Sequence, residues 1–208
     1  HIHASQFIQR GVGMDCLLFD WLNTYTFPQE ARYENTEFAK EAYSVFAEDM
    51  KKSPNTRACI FGTLHVPATE ILMEQLDKTG IKAMVGKVNM DRNGSPQLQE
   101  ESAQASADAT VQWIKDTLDK FENVKPILTP RFTPSCSDAL MEKLSEIQKK
   151  YHLPMQSHLS ENFGEIAWVK ELCPNTHFYG EAYSQFDLFG GDCPTIMAHC
   201  VHSSDEEI

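Results

Sequence analysis

The amino-acid sequence predicts a parallel α/β fold, a (β/α)8 TIM-type barrel, on three observations. Short apolar runs alternate along the whole chain with segments of helical periodicity, the pattern of strands that run parallel because a helix returns the chain each time. Strand ends fall at His3, His65, Asn89, Thr129, Ser157, Gly180 and His199, one short of the number a closed barrel needs. Imidazoles, a carboxylate and a guanidinium collect at or just beyond these carboxyl ends, where barrels of this class keep their chemistry. The chain reads as a single domain over residues 1–208, most of a catalytic barrel. The body of the first strand and all of the eighth are expected to lie outside it, as in an excerpt of a longer protein.

In chain order, His1-Ile2-His3 is the tail of the first strand and sets two imidazoles on one side, because strand side chains alternate. Gly11-Val12-Gly13 is too short for a phosphate loop, since no GK[ST] follows. Leu17, Leu18, Trp21 and Leu22 form an apolar stripe that Thr26-Phe27-Pro28 is expected to break. Phe38, Ala42, Val45, Phe46 and Met50 then resume at helical spacing, as a core-facing helix. Residues 57–65 read as a strand, followed by a helix with Ile71, Leu72 and Leu76 that stops at Gly80. Residues 81–89 are the next strand. After the turn at Asn93-Gly94-Ser95-Pro96, Ala103, Ala107, Val111, Ile114, Leu118 and Phe121 recur in steps of three and four, as in a long helix. A strand over 124–129 leads to Pro130-Arg131-Phe132, and Ser135-Cys136-Ser137-Asp138 opens a helix carrying Leu140, Leu144 and Ile147. Residues 153–157 form a short buried strand, and Asn162 starts a helix with Ile166, Val169 and Leu172 on one face. Further short strands are expected over 176–180 and 195–199.

The bulk properties exclude several classes. With 208 residues, 41% hydrophobic and 23% charged, the chain can bury a real core. Eighteen basic against thirty acidic side chains give a formal charge of -12, which disfavours nucleic acid and acidic membrane surfaces as partners. The six cysteines include no CxxC pair, so neither a disulfide framework nor a thiolate zinc cluster is suggested; reduced cytoplasm is the simplest setting. No apolar run of transmembrane length occurs.

The chemistry-bearing residues are read one at a time. His158 and Glu161 stand three apart where a buried strand turns into a helix, a position with a metal or catalytic reading. The same residues suit a capped helix start, with Ser160 or Asn162 as N-cap and Glu161 complementing the dipole. His1 and His3 can share one metal ion, although an N-terminal His also fits a cloning remnant. His199 closes the seventh strand, with His202 just beyond. Across a barrel mouth His1, His3, His158 and His199 could converge on one cation; neutral imidazoles suit zinc, and iron or nickel nearly as well. His65 and His202 fit polar packing or a supporting shell, and His152 and His177 the surface. Arg131 before Phe132 reads either as a ligand-facing fork beside an aromatic shelf or as a salt-bridged Arg next to a core Phe.

Taken together, His1-Ile2-His3-Ala4-Ser5-Gln6, Tyr25-Thr26-Phe27-Pro28, Gly86-Lys87-Val88-Asn89-Met90-Asp91, Thr129-Pro130-Arg131-Phe132, Ser157-His158-Leu159-Ser160-Glu161-Asn162 and Met197-Ala198-His199-Cys200 carry a resemblance. The chain resembles the amidohydrolase superfamily of metal-dependent hydrolases, and within it the guanine deaminase family, from end to end. The resemblance implies one catalytic zinc per chain, iron being the lesser alternative, held by His1, His3, His158 and His199. It implies that Gln6, Arg131 and Phe132 bind the purine base guanine and that Glu161 carries protons to and from the ring, giving xanthine and ammonia. A cytoplasmic homodimer is the family expectation. One departure stands out: the aspartate that the family places at the end of the eighth strand has no counterpart here, Asp187, Asp192 and Asp205 being unsuitably placed, and the family's flanking β-sandwich is absent as well.

Two rivals compete with this expectation. Another amidohydrolase deaminase would act on a different heterocycle, a reading that the Arg131-Phe132 pair disfavours. A catalytically silent purine- or metal-binding fragment would explain the missing aspartate. The cytidine-deaminase type is disfavoured because its HxE and PCxxC signature does not occur.

Overall fold

A computed structural model describes residues 1–208. Its strands are β1 (Ile2–His3), β2 (Arg57–Phe61), β3 (Lys82–Gly86), β4 (Val88–Asn89), β5 (Val124–Pro126), β6 (Thr129–Pro130), β7 (Met155–Leu159) and β8 (Thr195–His199). Its α-helices are α1 (Leu18–Trp21), α2 (Phe27–Ala31), α3 (Thr36–Lys52), α4 (Val66–Asp77), α5 (Ala103–Thr117), α6 (Asp138–Tyr151), α7 (Phe163–Leu172) and α8 (Glu181–Ser184). The chain divides into two compact units. One comprises His1–Val88, Gly94–Leu98 and Ala109–Ile127; the other comprises Asn89–Asn93, Gln99–Asp108 and Leu128–Ile208.

In the first unit a parallel sheet runs in the order β1-β2-β3-β5, with Ile2 opposite Ile60 and Ile60 opposite Val85. Ile60, Val85 and Val124 are fully buried, as strands covered by helices should be. The Asn35 side chain starts α3 by accepting from the backbone N–H groups of Glu37 and Phe38. Ala39, Ala42, Tyr43, Phe46 and Met50 form its buried face, and α3 packs on α4, which buries Leu72, Met73 and Leu76. Each of those three side chains stabilises the fold by roughly 1.5–3 kcal/mol through burial. Val45, expected on the apolar face, is 56% exposed.

The expected break at Thr26-Phe27-Pro28 does not occur. Residues Leu18 to Ala31 are helical throughout, passing from α1 through a π-helical turn over Leu22–Thr26 into α2. Pro28 follows the π turn, in which the Phe27 N–H reaches the Leu22 carbonyl five residues back, so its missing N–H falls where the helical bonding pattern shifts. Strands also end earlier than their apolar runs. β2 ends at Phe61, whose pairing with Gly86 is closed by the Gly62 N–H on the Gly86 carbonyl at 2.9 Å, and a Cβ at Gly62 would sit 3.0 Å from that oxygen and from Thr69 Oγ1. The runs over 81–89 and 124–129 are each divided, into β3 with β4 and β5 with β6.

In the second unit β7 pairs in parallel with β8, and Leu128 bridges to Met155 on the other side. All five residues of β7 are buried. Asp91 holds the start of α6, accepting from Ser137 N at 2.7 Å and from Ser137 Oγ, while Ser137 Oγ accepts from Leu140 N. The strand expected over 176–180 is instead a turn. Thr176 Oγ1 donates to the Cys173 carbonyl and His177 N to Glu181 Oε2, so local bonds take up groups that a sheet would have used, and the chain runs on into α8.

Candidate functional site

His158 lies in β7 and is only 8% exposed. Its Nδ1 is 2.6 Å from the Arg131 carbonyl oxygen. A carbonyl can only accept, so Nδ1 carries the proton and Nε2 keeps the lone pair. Burial, with the nearby Arg131 charge and His199 adding to it, lowers the pKa of His158 to about 3. The imidazole is neutral at physiological pH.

The parallel register sets His158 beside Ala198 and Leu159 beside His199. In a regular pair of strands the two histidines would therefore point to opposite faces. His199 adopts φ 78°, in the left-handed region, and this turns its ring out of alternation. The rings of His158 and His199 stack with centroids 5.4 Å apart and planes 12° from parallel. Burial lowers the pKa of His199 as well, so two neutral imidazoles stand side by side.

Ser160, at φ 48°, redirects the chain at the end of β7 and presents Glu161, whose Oε2 is 3.5 Å from His199 Nε2. Burial raises the pKa of Glu161 while the Arg131 charge opposes the rise, a carboxyl suited to exchanging protons. The backbone behind it is clamped. Asn162 caps α7 and Glu165 reaches back, accepting from Glu161 N at 3.0 Å and from Asn162 N, while Tyr179 donates to Glu165 Oε1 at 2.8 Å. Arg131 and Phe132 are 3% and 7% exposed, and the Phe132 ring meets Trp168 edge-on at 6.4 Å.

In the first unit His3 lies in β1 and His1 just before it, with ring centroids 5.0 Å apart. His3 stacks on Phe61 at 4.5 Å. Gln6, one turn further on, donates from Nε2 to Glu30 Oε1 at 3.0 Å. His3 and Gln6 border a hollow of about 300 Å³, together with Phe7, Met14 and Trp21.

His65 is the N-cap residue of α4, His202 stacks on Phe163 at 4.0 Å, and His152 and His177 are exposed. Three groups around the site went unread in the sequence. Tyr183 donates to the His158 carbonyl at 2.9 Å, accepts from Thr133 N at 3.2 Å and lies 3.0 Å from Ser157 Oγ. Glu165 follows Asn162 by three, the spacing of a capping box, and this was the available signal. Glu30 and Tyr183 carry no local signal, because their partners lie far along the chain.

Residues 1–208 match the amidohydrolase family. Among curated proteins the chain is 42% identical to guanine deaminases of Dictyostelium discoideum and Rattus norvegicus, covering 100% of this chain and 46% of each relative. Among solved structures, guanine deaminase from C. acetobutylicum with guanine bound in its active site superposes with a TM-score of 0.95 at 50% identity, covering 99% of this chain and 49% of that one. The chain thus spans about half the length of the relatives it matches. Its parallel α/β architecture and the match over its whole length agree: the chain belongs to the amidohydrolase family.

Proposed function

We propose that the protein acts in the zinc-dependent hydrolytic deamination of guanine to xanthine and ammonia. The observation that carries this reading is the stacked, neutral pair His158 and His199 with the Glu161 carboxylate 3.5 Å from His199 Nε2. The donor chemistry fits a borderline metal such as zinc, because both imidazoles are held uncharged and Nδ1 of His158 is tied to a carbonyl, the usual support behind a ligating Nε2. On this reading His1, His3, His158 and His199 hold one ion. The ion, when bound, supplies Lewis acidity that brings the pKa of water from about 16 to about 7.

The chain's own residues do the rest. Arg131 donates to the purine carbonyl oxygen, and because Arg131 is buried, a base lacking that oxygen would take this acceptor from a desolvated donor, which favours guanine. Phe132 supports the ring and Gln6 accepts from it. Glu161, held in place by Glu165 behind its N–H, passes one of the attacking water's protons to the ring nitrogen, and the other goes to the amino group, which leaves as ammonia. The family resemblance supports these assignments and, with them, a cytoplasmic homodimer built on a domain of which residues 1–208 are most of the catalytic part. No helix is long and apolar enough to cross a membrane.

Ammonia release from guanine by the purified protein tests the reading, with Glu161→Gln as the decisive variant. Turnover is expected to fall by about 10²–10⁴, the usual contribution of a positioned proton carrier, while guanine binding by calorimetry persists. Unchanged turnover in Glu161→Gln removes Glu161 from the mechanism. Absence of turnover in the wild type removes the function.

A further inference from the structure

We infer that Glu30 is a positioning residue that sets the orientation of both Gln6 and His3. The inference rests on the reading above, in which Gln6 meets the purine and His3 the metal. Glu30 is 1% exposed, yet a carboxylate is among the most expensive groups to bury, so its partners matter. Its Oε1 stands 3.0 Å from Gln6 Nε2 and 3.9 Å from His3 Nδ1.

Both neighbours are constrained by what a carboxylate can do. It only accepts, so the amide of Gln6 must turn its NH2 towards Glu30 and its carbonyl oxygen the other way. A side chain that could otherwise flip is thereby fixed as an acceptor, and it selects a purine edge offering N–H groups, as guanine does. The negative charge beside His3 Nδ1 favours the tautomer protonated there and leaves the lone pair on Nε2, the nitrogen that ligates when a carboxylate stands behind the ring. Phe61, stacked on His3, holds the ring plane while Glu30, 3.9 Å from Nδ1, biases the tautomer through its charge.

The local sequence explains how one carboxylate reaches both. Gln6 and Gln9 are three apart on a 3₁₀ turn (Ala4–Gln9), so they lie on one face. Thr26 and Glu30 are four apart where the π turn runs into α2, and they also share a face. Two rungs result, Gln6 to Glu30 and Gln9 to Thr26 Oγ1, each 3.0 Å. The motif Tyr25-Thr26-Phe27-Pro28 therefore builds the helix start that delivers Glu30.

The test compares Glu30→Gln, Glu30→Asp and Thr26→Val in the zinc-loaded holoenzyme, reading kcat and KM for guanine and the rate at which a chelator strips zinc. Glu30→Gln can hold Gln6 in either amide orientation and no longer biases His3. Its KM is expected to rise and its zinc affinity to fall, each by about tenfold or more, with kcat at saturating guanine changing less. Thr26→Val removes the other rung and is expected to lower thermal stability with KM and zinc release near wild type. A folded Glu30→Gln protein with both readouts within about twofold of wild type overturns the inference, as does Thr26→Val moving them equally. If Glu30→Gln fails to fold, Glu30→Asp, which keeps the charge but retreats by one methylene, carries the same expectation and the same refutation. Where the wild type binds zinc but releases no ammonia from guanine, the functional reading falls and the chelator readout alone decides Glu30.

Discussion

Replacing Tyr183 by Phe removes one oxygen and leaves a fully buried ring in place. That oxygen is the junction between β7 and the turn carrying Arg131 and Phe132. It donates to the His158 carbonyl at 2.9 Å, accepts from Thr133 N at 3.2 Å, and stands 3.0 Å from Ser157 Oγ, which itself donates to the Pro130 carbonyl at 2.7 Å. Without it the buried Thr133 N–H loses its acceptor and the His158 carbonyl loses a donor, while Ser157 keeps its bond to the Pro130 carbonyl. A buried group left unpaired costs about 1–3 kcal/mol, and the rigid neighbourhood allows little relaxation, so a loss of about 3 kcal/mol is expected. For a chain of this size that is a fall in Tm of roughly 6–12 °C. Urea titration followed by circular dichroism gives the free energy directly. A loss below about 0.5 kcal/mol, within the range of ordinary surface changes, would show that the junction is dispensable and refute the account of how β7 and Arg131 are held.

Two further outcomes follow from the same structure. Gly62→Ala places a methyl 3.0 Å from the Gly86 carbonyl oxygen and from Thr69 Oγ1, and is expected to destabilise the first unit by about 1–3 kcal/mol in a denaturant titration; a neutral result would mean that the close approach is loose. Burial raises the pKa of Tyr33, Tyr43, Tyr179 and Tyr183. For an acid whose folded pKa is raised, stability is fully present below the unfolded value, about 10, and is lost as pH climbs above it, at about 1.4 kcal/mol per pH unit for each group. These four phenols should therefore ionise together with unfolding, so that tyrosinate absorbance and loss of circular dichroism coincide above about pH 10; gradual ionisation of all tyrosines with the fold intact would contradict their burial.

The fold class was legible because its signals are local. β7 announces itself by the apolar Leu153-Pro154-Met155 that lead into it, and α3 by spacings of three and four from Phe38 to Met50. His158 with Glu161 was legible as a pair and Asn162 as a cap, while Glu165, three residues after Asn162, went unread. What escaped was decided by partners distant in sequence. Pro28 looked like a breaker, yet the π turn before it shifts the bonding pattern where the proline N–H is missing and the chain stays helical. The stretch 176–180 has the aromatic content of a strand, but Tyr179 turns its hydroxyl to Glu165 and local side-chain bonds fold the backbone into turns. Glu30, an ordinary acidic residue in the sequence, acquires its meaning only when Gln6, twenty-four positions earlier, folds against it.

His199 leaves its strand through a left-handed residue that is not glycine, a conformation that costs roughly 1–3 kcal/mol and persists only where the surroundings over-determine it. That expense is met once, during folding, by the backbone bond from Cys200 N to the Leu159 carbonyl at 2.8 Å and by the sheet behind it. On the proposed reading, an arriving ion would find the imidazole already turned and need not order it. Association at this site should accordingly carry a small conformational entropy penalty, and calorimetry should show little of the heat-capacity change that accompanies segments folding around a ligand. The irregular end of one short strand thus moves the expense of recognition from the encounter to the birth of the molecule.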